Sequence, residues 1–154
     1  MKKFVIFLII VNIISFFSCK KDEVLSKTEL LCHSPWILSA STINPPFVYE
    51  GGTIVDWYSG ALLPCEKDDV WYFNKSGTFK IDEGDNKCDE NDYEIYQLGI
   101  WAFDDNEEYL YTGFLIYLNE YTILTLNEIE LKVSHIWWYD SITYYTITET
   151  FIHY

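Results

Sequence analysis

The chain predicts an all-β fold, an antiparallel barrel or sandwich of about eight strands, and three observations predict it. From Asp69 onward, Val, Ile, Thr and aromatic residues alternate with polar ones at a period of two, the period of a strand with one buried face. Turn signals interrupt these runs typically every 8–12 residues. No self-similar unit of 20–50 residues is present, so the strands do not belong to a solenoid or propeller array.

The elements follow in order. Residues 20–33 read as a short tether and then a helical turn, Leu25–Cys32. Pro35–Thr42 is the first strand, and Asn44-Pro45-Pro46 stops it. A long connection runs to Pro64. Within it, Thr53 and Asp56 resemble a capping box, and Ile54, Trp57, Tyr58, Ala61 and Leu62 share one helical face. The expectation is an amphipathic lid over Thr53–Leu62. Val70–Asn74 and Thr78–Asp82 form a hairpin around Lys75-Ser76-Gly77. Residues 83–94 are an acidic loop. Strands are then expected over Ile95–Asp104, Glu107–Thr112, Leu118–Leu126, Glu130–Trp138 and Ser141–Tyr154.

The N-terminus carries an export signal. Lys2-Lys3 precedes an apolar run, Phe4–Phe17, of about 14 residues, short of the ~20 that cross a bilayer. Ser18 stands before Cys19, the arrangement of a lipoprotein cleavage site, although Phe16 occupies the place where such signals usually have Leu. The expected division is a signal peptide over 1–18, a lipidated Cys19 with tether over 19–29, and one β-barrel domain over 30–154. Cys19 would carry the acyl anchor, and two or three chains would hold stably where one is marginal. The expected address is outside the cytoplasm, lipid-anchored to the outer membrane at its periplasmic face or the cell surface. The run Lys20-Lys21-Asp22-Glu23 also resembles an acidic export tag of surface lipoproteins; an ordinary tether is the alternative.

Charge narrows the partners. All ten basic residues are Lys, against 24 Asp and Glu. Without Lys2 and Lys3, 8 Lys face 24 acids, and the net charge moves from −14 to −16. Such a surface repels nucleic acid and anionic lipid. A composition of 49% hydrophobic residues excludes the disordered class.

Hairpin register selects a cysteine pair. With Asn74 opposite Gly77 or Thr78, paired residue numbers sum to 151 or 152. Cys65 and Cys88 sum to 153 and lie beyond the open ends of that hairpin. An exported domain permits their disulfide, worth roughly 3 kcal/mol by loop entropy. Cys32 is left as a small buried hydrophobe or a thiol that pairs between chains.

The stretch from Cys65 through Asp68-Asp69 and Phe73 to Gly77-Thr78, followed by Cys88 and Gly99-Ile100-Trp101, resembles the lipocalin-like domains of Bacteroidota lipoproteins. Tyr121-Thr122-Ile123 with Leu126 adds to the likeness, which spans roughly residues 30–140. Ser34 stands before Pro35-Trp36 where such chains often have Gly-x-Trp, and the chain has no Arg to cover that tryptophan. The resemblance implies an eight-stranded up-and-down barrel with a cup.

Catalytic chemistry is not legible. His33, His135 and His153 form no metal-ligand spacing, and no CxxC is present. The loop 82–92 does not follow EF-hand order, because Lys87 and Cys88 fall at ligand places. Asp68 and Asp69 are adjacent on a strand approach and face opposite sides, so their expected role is turn hydrogen bonding. No cofactor is expected. Alternation turns Phe79, Ile81, Trp101, Phe103, Val133, Tyr145 and Phe151 inward, with His135 as a core histidine or a polar anchor. Trp137 and Trp138 take opposite faces.

Two readings result. In the first, the barrel binds a small hydrophobic or amphipathic ligand without catalysis. Trp57 in the lid and Phe79, Ile81, Trp101, Phe103, His135, Tyr145 and Phe151 inside would line the site. In the second, the barrel is filled, and its acidic face or Trp137/Trp138 meets another envelope protein.

Overall fold

The computed structural model describes residues 24–114 and 117–154, apart from the side chain of Tyr96. The signal, Cys19 and the run 20–23 lie outside the described residues.

Nine strands form one antiparallel sheet: β1 (Trp36–Tyr49), β2 (Gly52–Asp56), β3 (Val70–Phe73), β4 (Thr78–Asp82), β5 (Ile95–Phe103), β6 (Tyr109–Phe114), β7 (Tyr117–Leu126), β8 (Glu130–Trp138) and β9 (Tyr144–His153). The strand order is β2-β1-β3-β4-β5-β6-β7-β8-β9, and β1 also pairs with β9. That last pairing, from Trp36↔His153 to Asn44↔Thr146, closes an up-and-down barrel of β1 and β3–β9. β2 is a flap on the far half of β1. Among the described residues three short helices accompany the sheet: α1 (Lys27–Leu31), α2 (Trp57–Gly60) and α3 (Pro64–Lys67).

The helix α1 plugs one end. Ser26 and Glu29 form its capping box. Leu31, fully buried, enters the core, and the Trp36 indole donates to the Leu31 carbonyl at 2.8 Å. Lys27 Nζ donates to the carbonyl of Glu107, and Lys75 lies 3.7 Å from Glu29, so the plug is tied to two turns of this end. Cys32 is a free, half-buried thiol packed on the core, and burial pushes its pKa up.

Two expectations are corrected. The first strand does not stop at Asn44-Pro45-Pro46; β1 runs on to Tyr49. A proline harms a ladder only where its missing N–H is needed. Pairing with β9 ends at Asn44, pairing with β2 resumes at Phe47↔Ile54, and both prolines fall in the gap. Nor is Thr53–Asp56 the start of a helix. Glu50 and Gly51, with φ of 49° and 81°, turn the chain so that β-branched Thr53, Ile54 and Val55 pair back onto β1. The lid is therefore flap and helix together. Asp56 caps α2 from the N-cap position, accepting from Ser59 N at 2.9 Å.

The β3–β4 register is Val70↔Asp82 and Trp71↔Ile81, a sum of 152, within the expected pair of values. Gly99-Ile100-Trp101 has a physical reason. Phe79 pairs with Gly99, and its ring fills the place a side chain would take: a Cβ on Gly99 would lie 2.5 Å from Phe79 Cε1 and 2.3 Å from the Gly113 carbonyl oxygen. The Trp101 indole donates to the Asn74 carbonyl at 2.8 Å.

The interior holds two apolar clusters. The larger, at the α1 end, contains Leu31, Trp36, Leu38, Phe73, Phe79 and Phe151 among others. The smaller unites Ile43, Phe47 and Ile147 with Ile54, Trp57, Trp137 and Tyr145.

Candidate functional site

A bulge on β1 builds the polar floor between these clusters. Leu38 pairs with Phe151, but Ala40 pairs with Thr150, so Ser39 is the extra residue. Its hydroxyl donates to the Thr150 carbonyl at 2.9 Å. Beyond the bulge the inward parity changes from Trp36 and Leu38 to Ser41 and Ile43, and Ser41 lies opposite Glu149. Val133 flanks Glu149 from β8.

A cavity of about 320 Å³ reaches this floor. Leu38 and Trp71, at the point where β1 leaves β3 after Trp36↔Trp71 and Ile37↔Val70, belong to its lining. Leu38, Trp71 and Phe151 form its barrel wall, and Leu62 covers it from the lid. Its charged lining is Glu66, Asp69, Glu83 and Glu149. No lysine lines it.

The rim is pinned. Cys65 in α3 and Cys88 in the 83–94 loop are joined by a disulfide, with Cα atoms 5.2 Å apart. Asp68 Oδ2 accepts from the Asp85 and Asn86 backbone N–H groups at 3.0 and 2.9 Å and from Asn86 Nδ2 at 2.8 Å. Asp68 is thus a turn-bonding residue, and Asp69 turns to the cavity.

Glu149 is the unusual group. Burial raises its pKa to about 7. Its Oε2 lies 3.6 Å from His135 Nε2, and the two side chains are 19% and 25% exposed. Burial pushes the His135 pKa down, with a smaller opposing effect from the Ile136 backbone. His135 is therefore a poor counter-cation. Tyr121 stacks edge-on against His135 at 5.1 Å; burial first and the Glu149 charge second push its hydroxyl pKa up. The Ser41 hydroxyl, 1% exposed, has no hydrogen-bond partner.

The expected site residues separate into groups. Phe79, Ile81 and Trp101 are buried in the closed-end core, with Phe103 packed beside them. Trp57 and Tyr145 belong to the smaller cluster, where Trp57 lies 5.7 Å from Phe47 and 5.3 Å from Trp137. Phe151 lines the cavity and His135 stands behind Glu149. Trp138 is 60% exposed, opposite to Trp137 as expected. Trp71, Leu38 and Glu149 are not among the expected site residues. Glu149 shares the parity of Ile147 and Phe151, so alternation alone places it inside; a glutamate is simply not sought in a core.

No protein-family model matches the chain, and no curated protein matches it. The solved structures it is similar to include two of bovine odorant binding protein. A deswapped triple mutant of bovine odorant binding protein has a TM-score of 0.43 at 16% identity, over 84% of this chain and 75% of that one. A complex of bovine odorant binding protein with a selenium-containing odorant has a TM-score of 0.45 at 14% identity, over 88% and 77%. The barrel assignment rests on the strand pairing itself.

Proposed function

We propose that this chain is a membrane-anchored, non-catalytic binding protein that holds a small amphipathic ligand inside its barrel. The cavity carries the reading: about 320 Å³, walled by Leu38, Trp71 and Phe151. That volume sits at the lower end of small-molecule sites, roughly 300–1,000 Å³. Its rim is held by a covalent bond and three hydrogen bonds, which limits the ordering cost of binding. Anchoring is supported by the Lys2–Cys19 pattern.

Native mass spectrometry on protein extracted from its own membrane, with lipid extraction, tests both parts. The expected result is a stoichiometric small molecule and an acylated Cys19. A clean ligand-free mass, with Trp71 emission unmoved by a broad hydrophobic panel, would reject the binding reading. An unmodified Cys19 would reject the anchor.

A second reading, a docking module for an envelope protein, is favoured by the outer surface. Leu98, Ile100, Phe114, Tyr117 and Leu118 are each 57% exposed or more. Protection of the domain from protease added to intact cells would exclude its display at the cell surface.

A further inference from the structure

We propose that the ligand is a cationic amphiphile, its protonated amine paired with Glu149 and its apolar part against Trp71 and Phe151. This names the ligand class of the cavity described above and rests on that reading.

Two independent observations point to it. The first is the unmet need of Glu149. Its carboxylate accepts no hydrogen bond from the described residues, and the structure pairs it only with His135 at 3.6 Å. A buried carboxylate without donors is costly, and a ligand ammonium supplies three. A neutral apolar ligand supplies no donor to the carboxylate. The second is the wall. An aromatic face and aliphatic groups flank the carboxylate, so one molecule can meet both, and the Trp71 indole adds cation–π attraction.

The charge pattern excludes the opposite sign. The lining titratable groups are carboxylates from three places: Glu66 in α3, Asp69 and Glu83 at the rim, and Glu149 in β9. The nearby lysines are engaged elsewhere. Lys67 lies over the Tyr58 ring at 5.1 Å, Lys80 pairs with Asp82 at 3.1 Å, and Lys87 pairs with Glu94 at 3.2 Å. An anionic lipid or fatty acid would meet carboxylates and, among the described lining residues, no lysine. Among the described residues no set of three His, Cys, Asp or Glu is arranged to hold a metal ion.

Binding should also move a proton. The groups facing Glu149 are Ser41 from β1, Tyr121 from β7 and His135 from β8, with Glu66, Asp69 and Glu83 across the cavity. Burial raises the Glu149 pKa to about 7, which favours the protonated form in the ligand-free protein. Pairing with an ammonium selects the ionised form and releases that proton.

Octylamine, 1-octanol and octanoate share one tail and differ in head charge. Their binding to residues 19–154 carrying Cys19→Ser is measured by calorimetry and tryptophan emission, at pH 8 and pH 6, beside Glu149→Gln. Octylamine should bind at least about tenfold tighter than octanol, with octanoate weakest. Its affinity should fall about tenfold from pH 8 to pH 6, as expected for a group titrating near 7. Glu149→Gln should abolish both the preference for octylamine and its pH dependence. Equal binding of octanol and octylamine, or a preference that survives Glu149→Gln, would overturn the amine assignment and leave the cavity reading standing. Failure of all three probes to bind would overturn both.

Discussion

Replacing Glu149 by Gln should stabilise the ligand-free protein at pH 8 and do little at pH 4.5. The carboxyl has an ordinary pKa of 4.5, and burial raises it to about 7. A carboxyl with a raised folded pKa keeps its proton longer in the folded state. Its contribution is therefore favourable at low pH and is lost as pH rises from about 4.5 through about 7. A difference of about 2.5 units corresponds to about 3 kcal/mol, at about 1.4 kcal/mol per unit. His135 works in the opposite direction: burial lowers its folded pKa, so stability is lost as pH falls below 6.5. The two partly cancel in the wild-type profile. Because the two side chains lie 3.6 Å apart, His135→Asn is carried in both proteins compared, so that the difference reports the carboxyl alone. Urea unfolding at half-unit steps from pH 4.5 to 8.5, with the disulfide intact, measures that difference. It should grow by about 3 kcal/mol across the range, or roughly 10 °C in Tm at pH 8. Parallel profiles that stay within about 0.5 kcal/mol of one another, the usual limit for a surface change, would show that Glu149 ionises as in water and would refute the desolvation argument.

Four further outcomes are expected by the same unfolding assay. Replacing Cys65 and Cys88 together by Ser should cost about 3 kcal/mol, because the bond spans a sequence separation of 23. Phe151→Ala should cost about 3–5 kcal/mol, since the ring is 2% exposed and lies 5.2 Å from Trp71. Gly99→Ala should cost about 1–3 kcal/mol, its Cβ meeting the Gly113 carbonyl oxygen at 2.3 Å. Ser41→Ala should stabilise by about 1 kcal/mol, because it removes a buried hydroxyl without a partner.

Much of the barrel was legible because strand period and turn chemistry are local. β8 is found at Glu130–Trp138, the expected bounds, and its alternation placed Leu131, Val133 and His135 on the inner face. The β3–β4 hairpin has a short turn with Gly77 at φ 81°, so its register could be counted and the Cys65–Cys88 bond inferred. Errors arose where the outcome depended on a distant partner. Pro45 and Pro46 end a strand only if that strand needs their N–H groups, and the gap between β9 and β2 removes the need. Thr53–Asp56 fits a helical face, but it follows a turn that returns it to β1, and pairing overrode the local preference.

The amino-acid sequence by itself determined the strand periods, the acidic surface and the cysteine pair, because each depends on residues near one another or on plain counting. Only the tertiary structure decided which interior residues meet. The extra residue at Ser39 changes the parity of β1 and sets Ser41 opposite Glu149. The pairing of β1 with β3 is short, and the pinned loop brings Glu83 to the same cavity as Glu149. Closure of β9 onto β1 brings residues more than 100 positions apart into register, and a period-two pattern carries no information about such a partner.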